Sequence, residues 1–252
     1  MHESQARWNV AADLYRTSSW HSNEAALAHL VEVAAARGGR ALDIATGAGH
    51  AALAIAPFVD AMVATDTAPR MLEVTMQEAE RRGLSNLTAE YADALDLPFE
   101  NNSFDLAICR TAAHHFSDPV RFLGETYRVL KPDAKLILVD TTGSDDESAD
   151  DLIDTFERKR DPSHVRNYTK PAWRRMADRA GFTVESEETV SKPLNAKEWL
   201  ERQEVLLDTR VELIDMITLS QDWFREYLSP HGEGELLTFH LDETTFAMRK
   251  KR

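Results

Sequence analysis

Twenty-nine Lys and Arg against 43 Asp and Glu leave this 252-residue chain at −14 before histidine is counted. That balance argues against a nucleic-acid or anionic-membrane binder, because phosphate groups are held mainly by Lys and Arg. The length suits one large domain or one domain with an elaborated cap, and 43% hydrophobic against 29% charged residues is ordinary for a globular protein. A single cysteine, Cys109, can form neither an internal disulfide nor a thiolate metal site by itself, so a reducing compartment, the cytoplasm, is expected. The N-terminus lacks the basic start and apolar run of a leader peptide. The longest stretch without Asp, Glu, Lys or Arg, Ile44 to Val59, is too short to cross roughly 30 Å of hydrocarbon.

In chain order, apolar runs at 40–45 and 61–65 flank an Ala- and Leu-rich segment from His50 to Phe58, which reads as strand, helix, strand, with Pro57 ending the helix. A second helix starts after Pro69 and stops at Gly83, with Arg81 and Arg82 in its last turn. Strands are expected at 87–91, 104–109 and 135–140, the last preceded by a helix over 119–130 and a Lys131-Pro132-Asp133 turn. Strands alternating with helices predict an α/β domain built on a mainly parallel sheet. Past Asp140 come a polar acidic stretch, a helix over 151–160, a loop around Asp161-Pro162-Ser163-His164, a helix over 170–180 and a strand over 182–190. About 45 residues of helical character follow, and 236–248 reads as the last strand.

The sharpest local signal is Ala41-Leu42-Asp43-Ile44-Ala45-Thr46-Gly47-Ala48-Gly49-His50. Here a strand runs through small residues straight into a helix, so the backbone can pass close to a ligand and the helix presents N–H groups to it. Alone, the Gly47-x-Gly49-x-x-Ala52 spacing is a weak match to a dinucleotide fingerprint, with a tight structural turn the competing reading. Asp43, Asp66 and Asp93 place carboxylates at three successive strand ends, where a ribose diol can be held; singly, each could be a helix cap. A carboxylate just ahead of the glycines repels a pyrophosphate but attracts a sulfonium and an ammonium, which favours S-adenosyl-L-methionine over NAD.

With Ala64-Thr65-Asp66-Thr67-Ala68-Pro69-Arg70-Met71-Leu72, Asp93-Ala94-Leu95-Asp96-Leu97-Pro98-Phe99, Ser103-Phe104-Asp105-Leu106, Ala113-His114-His115-Phe116 and Tyr127-Arg128-Val129-Leu130-Lys131-Pro132, the chain resembles the class I, UbiE-like S-adenosylmethionine-dependent methyltransferases from about Tyr15 to Val190. The resemblance implies a doubly wound, Rossmann-like seven-stranded sheet, mostly parallel with an antiparallel last strand, plus helical cap insertions. One domain is expected, its core near 38–142, 170–190 and 235–248 and its cap near 1–30, 143–169 and 191–234. By the same resemblance Ala45, Thr46, Gly47 and Gly49 hold the methionine moiety with Asp43 near its amino group. Asp66 and Thr67 lie at the ribose, Met71 packs on the adenine, Asp93 and Ala94 read its amino edge, and Arg110 faces the pocket. Three departures stand out: Ala45 and Ala92 occupy positions where the family carries glycine, and Asp133-Ala134 replaces a Gly-Gly.

Methyl transfer needs donor and acceptor aligned and dry, and a base only where the acceptor loses a proton. His114 and His115, just past the fourth strand, are the candidate catalytic residues, with a structural role the competing reading, most evenly for His115. No third ligand stands at metal-site spacing, so no metal is expected. Tyr15, His21, Arg160, His164, Arg166 and Tyr168 are the candidate acceptor-binding residues; surface placement is the competing reading for the first two, and tying the insertion down for the last four. The 191–234 helices read either as an apolar lid or as a homodimer face. The activity expected is O- or C-methylation of a small, apolar or aromatic metabolite. A non-transferring protein of the same fold and an NAD oxidoreductase are the rivals.

Overall fold

A computed structural model describes Ala12 and residues 22–144, 147–203, 205–220 and 222–252. Seven strands form one sheet in the order β3-β2-β1-β4-β5-β7-β6. They are β1 (Arg40–Ile44), β2 (Ala61–Asp66), β3 (Leu87–Tyr91), β4 (Phe104–Arg110), β5 (Leu130–Thr141), β6 (Phe182–Asn195) and β7 (Thr238–Lys250). β1 pairs in parallel with β2 and β4, and β7 runs antiparallel to both β5 and β6.

The sheet is covered on both faces, and the two-residue period of the strands sorts its side chains. Leu42, Ile44, Val63, Ala107, Cys109, Leu136 and Leu138 join one cluster; there they meet Phe122 and Leu123 of α4 (Pro119–Val129) and Trp173 and Ala177 of α6 (Lys170–Ala180). Ala41, Met62, Ala64, Leu106, Ile108, Ile137 and Val139 point the other way. They pack on Leu30 and Ala34 of α1 (Glu24–Ala34), on Leu53 and Ile55 of α2 (His50–Ile55), and on Ala79 of α3 (Pro69–Arg81). Each fully buried Leu, Ile or Phe contributes about 1.5–3 kcal/mol to holding these layers together. A third cluster belongs to the cap: Ile153 and Phe156 of α5 (Glu147–Arg160), Trp199 and Leu200 of α7 (Ala196–Glu201), Leu213 and Ile217 of α8 (Leu207–Leu219), and Phe224 of α9 (Asp222–Leu228). This cluster closes on Leu194, Phe239 and Leu241, so the cap is seated on extensions of β6 and β7.

Three sequence expectations need correction. Lys131-Pro132-Asp133 is not a turn outside the sheet; β5 begins at Leu130, and the pairing with β4 jumps from Phe104–Leu130 to Leu106–Lys135, a bulge with Asp133 at φ +64°. Bulges place an extra residue in a strand, and Asp tolerates the left-handed backbone that glycine would otherwise supply. β6 runs on from Val190 to Asn195, because β7 supplies partners along its full length. Asp43 sits inside β1 and Asp93 two residues beyond β3, so of the three acids only Asp66 closes its strand.

Candidate active site

Strand order reverses between β1 and β4: the chain winds outward through β2 and β3, then returns across β1 to begin the other half. In open α/β sheets that switch point leaves a crevice beyond the strands' carboxyl ends. A cavity of about 640 Å³ opens there. Its lower half is lined by Asp43, Ala45, Thr46, Gly47, Asp66, Thr67, Met71, Asp93, Ala94 and Arg110, its upper half by His114, His115, Arg160, His164 and Trp199.

Asp43, 1% exposed, accepts the Thr46 hydroxyl at 2.6 Å and the Ala52 N–H at 3.0 Å, both through Oδ2. It therefore caps α2 while lining the cavity. Burial pushes its carboxyl up to about 7, against the opposing pull of those two hydrogen bonds and of Arg110. Asp66 spans the bend: Oδ2 accepts the Gly47 N–H and Oδ1 the Ala68 N–H, each at 2.9 Å, and burial raises this carboxyl as well. Asp93 is exposed and accepts the Leu95 N–H at 2.8 Å. Met71 is buried beside Ala48, Ala68 and Val74. Burial lowers the Arg110 guanidinium from its ordinary value, while Glu243 and Asp43 oppose that shift.

The two glycines of the bend do different things. Gly47 has φ +55°, and a Cβ there would meet no atom within 4 Å, so this position is open to a ligand. Gly49 caps α2 at φ +83°, where a Cβ would fall 2.6 Å from the Thr75 methyl, and lies outside the cavity lining. Its absent side chain lets α2 approach α3.

The histidines part company in the same way. His114 Nδ1 lies 2.6 Å from Asp140 Oδ1. Burial works to discharge the His114 ring, but the charge and hydrogen bond of Asp140, with Glu157 and Asp161 behind it, hold the ring above the ordinary histidine range. His115 turns Nδ1 to the Ser163 carbonyl at 3.1 Å; burial and the neighbouring His114 push it down to about 3, so it stays neutral. The buried His164 bonds Asp154 at 2.9 Å, an oxygen that also accepts the Asn167 N–H.

Arg160 lies 4.7 Å over the Trp199 ring and donates Nε–H to the Trp199 carbonyl at 3.0 Å, so it ties α5 to α7 and lines the cavity at once. Arg166 and Tyr168 stand apart from the cavity: Arg166 lies 3.7 Å from Asp154 with its side chain half exposed, and Tyr168 meets the Trp173 ring edge-on at 5.4 Å. Tyr15 and His21 lie outside the described residues. Sequence reading passed over Asp140, Glu157, Asp161 and Trp199, which line or support the upper half. Asp140 carried a usable signal, as a fourth carboxylate near the end of an apolar strand; the others sit on cap helices and the loop after α5, whose placement no local pattern reveals. Among the described residues no group of three His, Cys, Asp or Glu is placed to hold a metal ion, and no helix is long and apolar enough to cross a membrane.

A sheet of this order, with a small-residue bend and carboxylates at its switch point, is the architecture of the class I methyltransferases. Comparison with known proteins agrees. Residues 42–138 match the methyltransferase domain family. The chain is 32% identical over 233 residues to the uncharacterized methyltransferase YcgJ of Bacillus subtilis, covering 91% of this chain and 92% of that one. The crystal structure of a putative methyltransferase from Bacillus halodurans superposes with a TM-score of 0.85 at 33% identity, covering 90% of this chain and 99% of that one. A demethylmenaquinone methyltransferase of Thermus thermophilus is 41% identical over 104 residues, 40% of this chain and 46% of that one. The chain belongs to the class I S-adenosylmethionine-dependent methyltransferases.

Proposed function

We propose that the chain uses S-adenosyl-L-methionine in the lower half of the cavity and methylates a small, apolar or aromatic metabolite on oxygen or carbon in the upper half. The residues present fit that cofactor: an open Gly47, a buried carboxylate at Asp43 for an ammonium, and Asp66 and Met71 lining the same cavity. Asp66 accepts backbone N–H groups from Gly47, Ala68 and Thr67, and its carboxylate keeps acceptor capacity for a ribose hydroxyl. When bound, the cofactor supplies a methyl carbon made electrophilic by its positive sulfur. The chain's task is then to hold the acceptor in line, exclude water and accept a proton where one is lost.

The observation that carries this reading is the continuity of one cavity from Asp43 and Gly47 to His114 and Trp199. Its upper half offers Leu194, Leu241 and Trp199 as apolar walls, with Arg160 and His114 as polar contacts, the lining usual for a small organic ligand. The −14 charge supports a small acceptor over a nucleic acid. The stretch similar to the demethylmenaquinone methyltransferase is short enough to carry cofactor chemistry without the acceptor. Calorimetry should show S-adenosylhomocysteine binding and no response to NADH. Methyl-labelled S-adenosylmethionine, incubated with the protein and a cell extract, should then place label in the small-molecule fraction. Label confined to RNA or protein would refute the acceptor class, and binding without any transfer would refute turnover.

A further inference from the structure

Near its end β5 holds a carboxylate, Asp140, that the three acids of the lower half leave unexplained. Asp140 is 1% exposed, and its oxygens serve two neighbours. Oδ1 lies 2.6 Å from His114 Nδ1 and accepts the Thr141 N–H at 2.9 Å, while Oδ2 accepts the backbone N–H of His114 at 2.9 Å. The cap grips the same histidine from outside, where the N–H groups of Val165 and Arg166 donate to its carbonyl at 2.9 and 3.1 Å. Backbone and ring are thus both held, by the sheet on one side and the 163–167 loop on the other.

An ionised carboxylate only accepts, so Nδ1 must carry a hydrogen; in the neutral ring Nε2 is then the bare lone pair. Nε2 is at the opposite edge of the ring from Asp140, and among the described residues it makes no hydrogen bond. His115 Nδ1 likewise donates, but to the neutral Ser163 carbonyl instead of a carboxylate, and burial and His114 keep its ring neutral. The groups facing His114 are Asp140 from β5, Glu157 from α5, Asp161 from the loop, and the His115 and His164 rings at 4.1 and 5.6 Å.

We infer that Asp140 is a positioning residue that fixes the tautomer and direction of His114, making His114 Nε2 the base for the acceptor. This rests on the methyltransferase reading proposed above. Nε2 takes the proton that the acceptor O–H or C–H loses, the acceptor atom bonds to the methyl carbon, and the electron pair of the breaking carbon–sulfur bond stays on sulfur. Charge and atoms balance with no further reactant.

Nitrogen-15 correlation spectra of the imidazole side chains, recorded from about pH 5 to about pH 9, test this without a known acceptor. A His114→Gln variant identifies the resonance. In the wild type, the neutral His114 ring should be protonated at Nδ1 and should titrate above the ordinary histidine value. In Asp140→Asn, an amide that can donate where the carboxylate accepted should move the ring toward the Nε2-protonated form and lower its midpoint by about one to three units. A neutral wild-type ring protonated at Nε2, or a wild-type midpoint at or below the ordinary value, overturns the inference even if the variant fails to fold. An unmoved tautomer and midpoint in folded Asp140→Asn does the same. S-adenosylhomocysteine calorimetry on the wild type reports separately on the cofactor reading, so the two failures are distinguishable.

Discussion

Ala45 follows β1 with φ at +54°, a backbone that costs an L-residue roughly 1–2 kcal/mol and a glycine almost nothing. Its departure from the family's glycine therefore has a measurable consequence. Ala45→Gly relieves that strain and loses about 0.4–1 kcal/mol of it again to the freer unfolded chain. The net gain should be about 0.5–1 kcal/mol, raising the melting temperature by roughly 1–4 °C. Asp133→Gly, at φ +64°, should gain less, because Asp bonds locally and accepts the left-handed region. Equal melting temperatures for wild type and Ala45→Gly would show that the strain at the bend is no larger than the unfolded-chain entropy that offsets it. The same scale explains what the sequence could not separate. Gly47 and Gly49 are one pattern on paper, yet one leaves room at the cavity and the other leaves room for a helix. The carboxylates were legible as a set because they recur after apolar runs. That Asp43 and Asp66 also bind the N–H groups of Ala52, Gly47 and Ala68 depends on how the bend folds back, which spacing does not encode.

Between elements, Gly49 joins α2 to α3. Thr75 of α3 reaches across to donate its hydroxyl to the Gly47 carbonyl at 3.1 Å, and its methyl occupies the place a Gly49 side chain would need. Gly49→Ala should cost about 2–4 kcal/mol, from the left-handed backbone and the overpacked contact together. Adding Thr75→Ala should return part of that loss in a double-mutant cycle read by thermal unfolding, since the two sites share one contact. Strict additivity would place the cost in the backbone alone. Element boundaries divide along a physical line. β1, β2 and β4 are flanked by partners on both sides and so read as apolar runs, close to their observed limits. β6 is an edge strand with most side chains exposed, and Pro193 lies within it, so nothing apolar marked its continuation. The cap helices were legible as helical character but not as to where they pack, because that depends on long-range contact with β6 and β7.

At the scale of the whole molecule, pH acts on three buried groups, and not with the same sign. The folded Asp43 carboxyl titrates near 7 instead of near 4, so its contribution to stability is fully present below about pH 4 and is lost as pH rises through 7. His115 titrates near 3 instead of 6.5, so the unfolded chain takes up a proton that the fold refuses, and its contribution is lost as pH falls below 6.5. His114, raised above 6.5, contributes below that value and loses its contribution above it. These effects oppose one another in mildly acid solution but align above pH 6.5, where the ligand-free protein should lose stability with rising pH. On the proposed placement, a cofactor ammonium beside Asp43 reverses that group's part, because it favours the charged carboxylate. Binding should then expel a proton. At pH 6, below the raised Asp43 value, the carboxyl of the free protein is mainly protonated, so S-adenosylhomocysteine should release a proton there, and close to none well above pH 7. Calorimetry in buffers of different ionisation enthalpy measures that number directly. Its affinity should tighten as pH rises toward 7, and its stabilising shift in melting temperature should grow with it. Asp43→Asn removes the titrating group, so the proton release at pH 6 should vanish along with most of the pH dependence of affinity. A wild type that binds with no proton released at pH 6 would place the ammonium elsewhere in the cavity, away from β1.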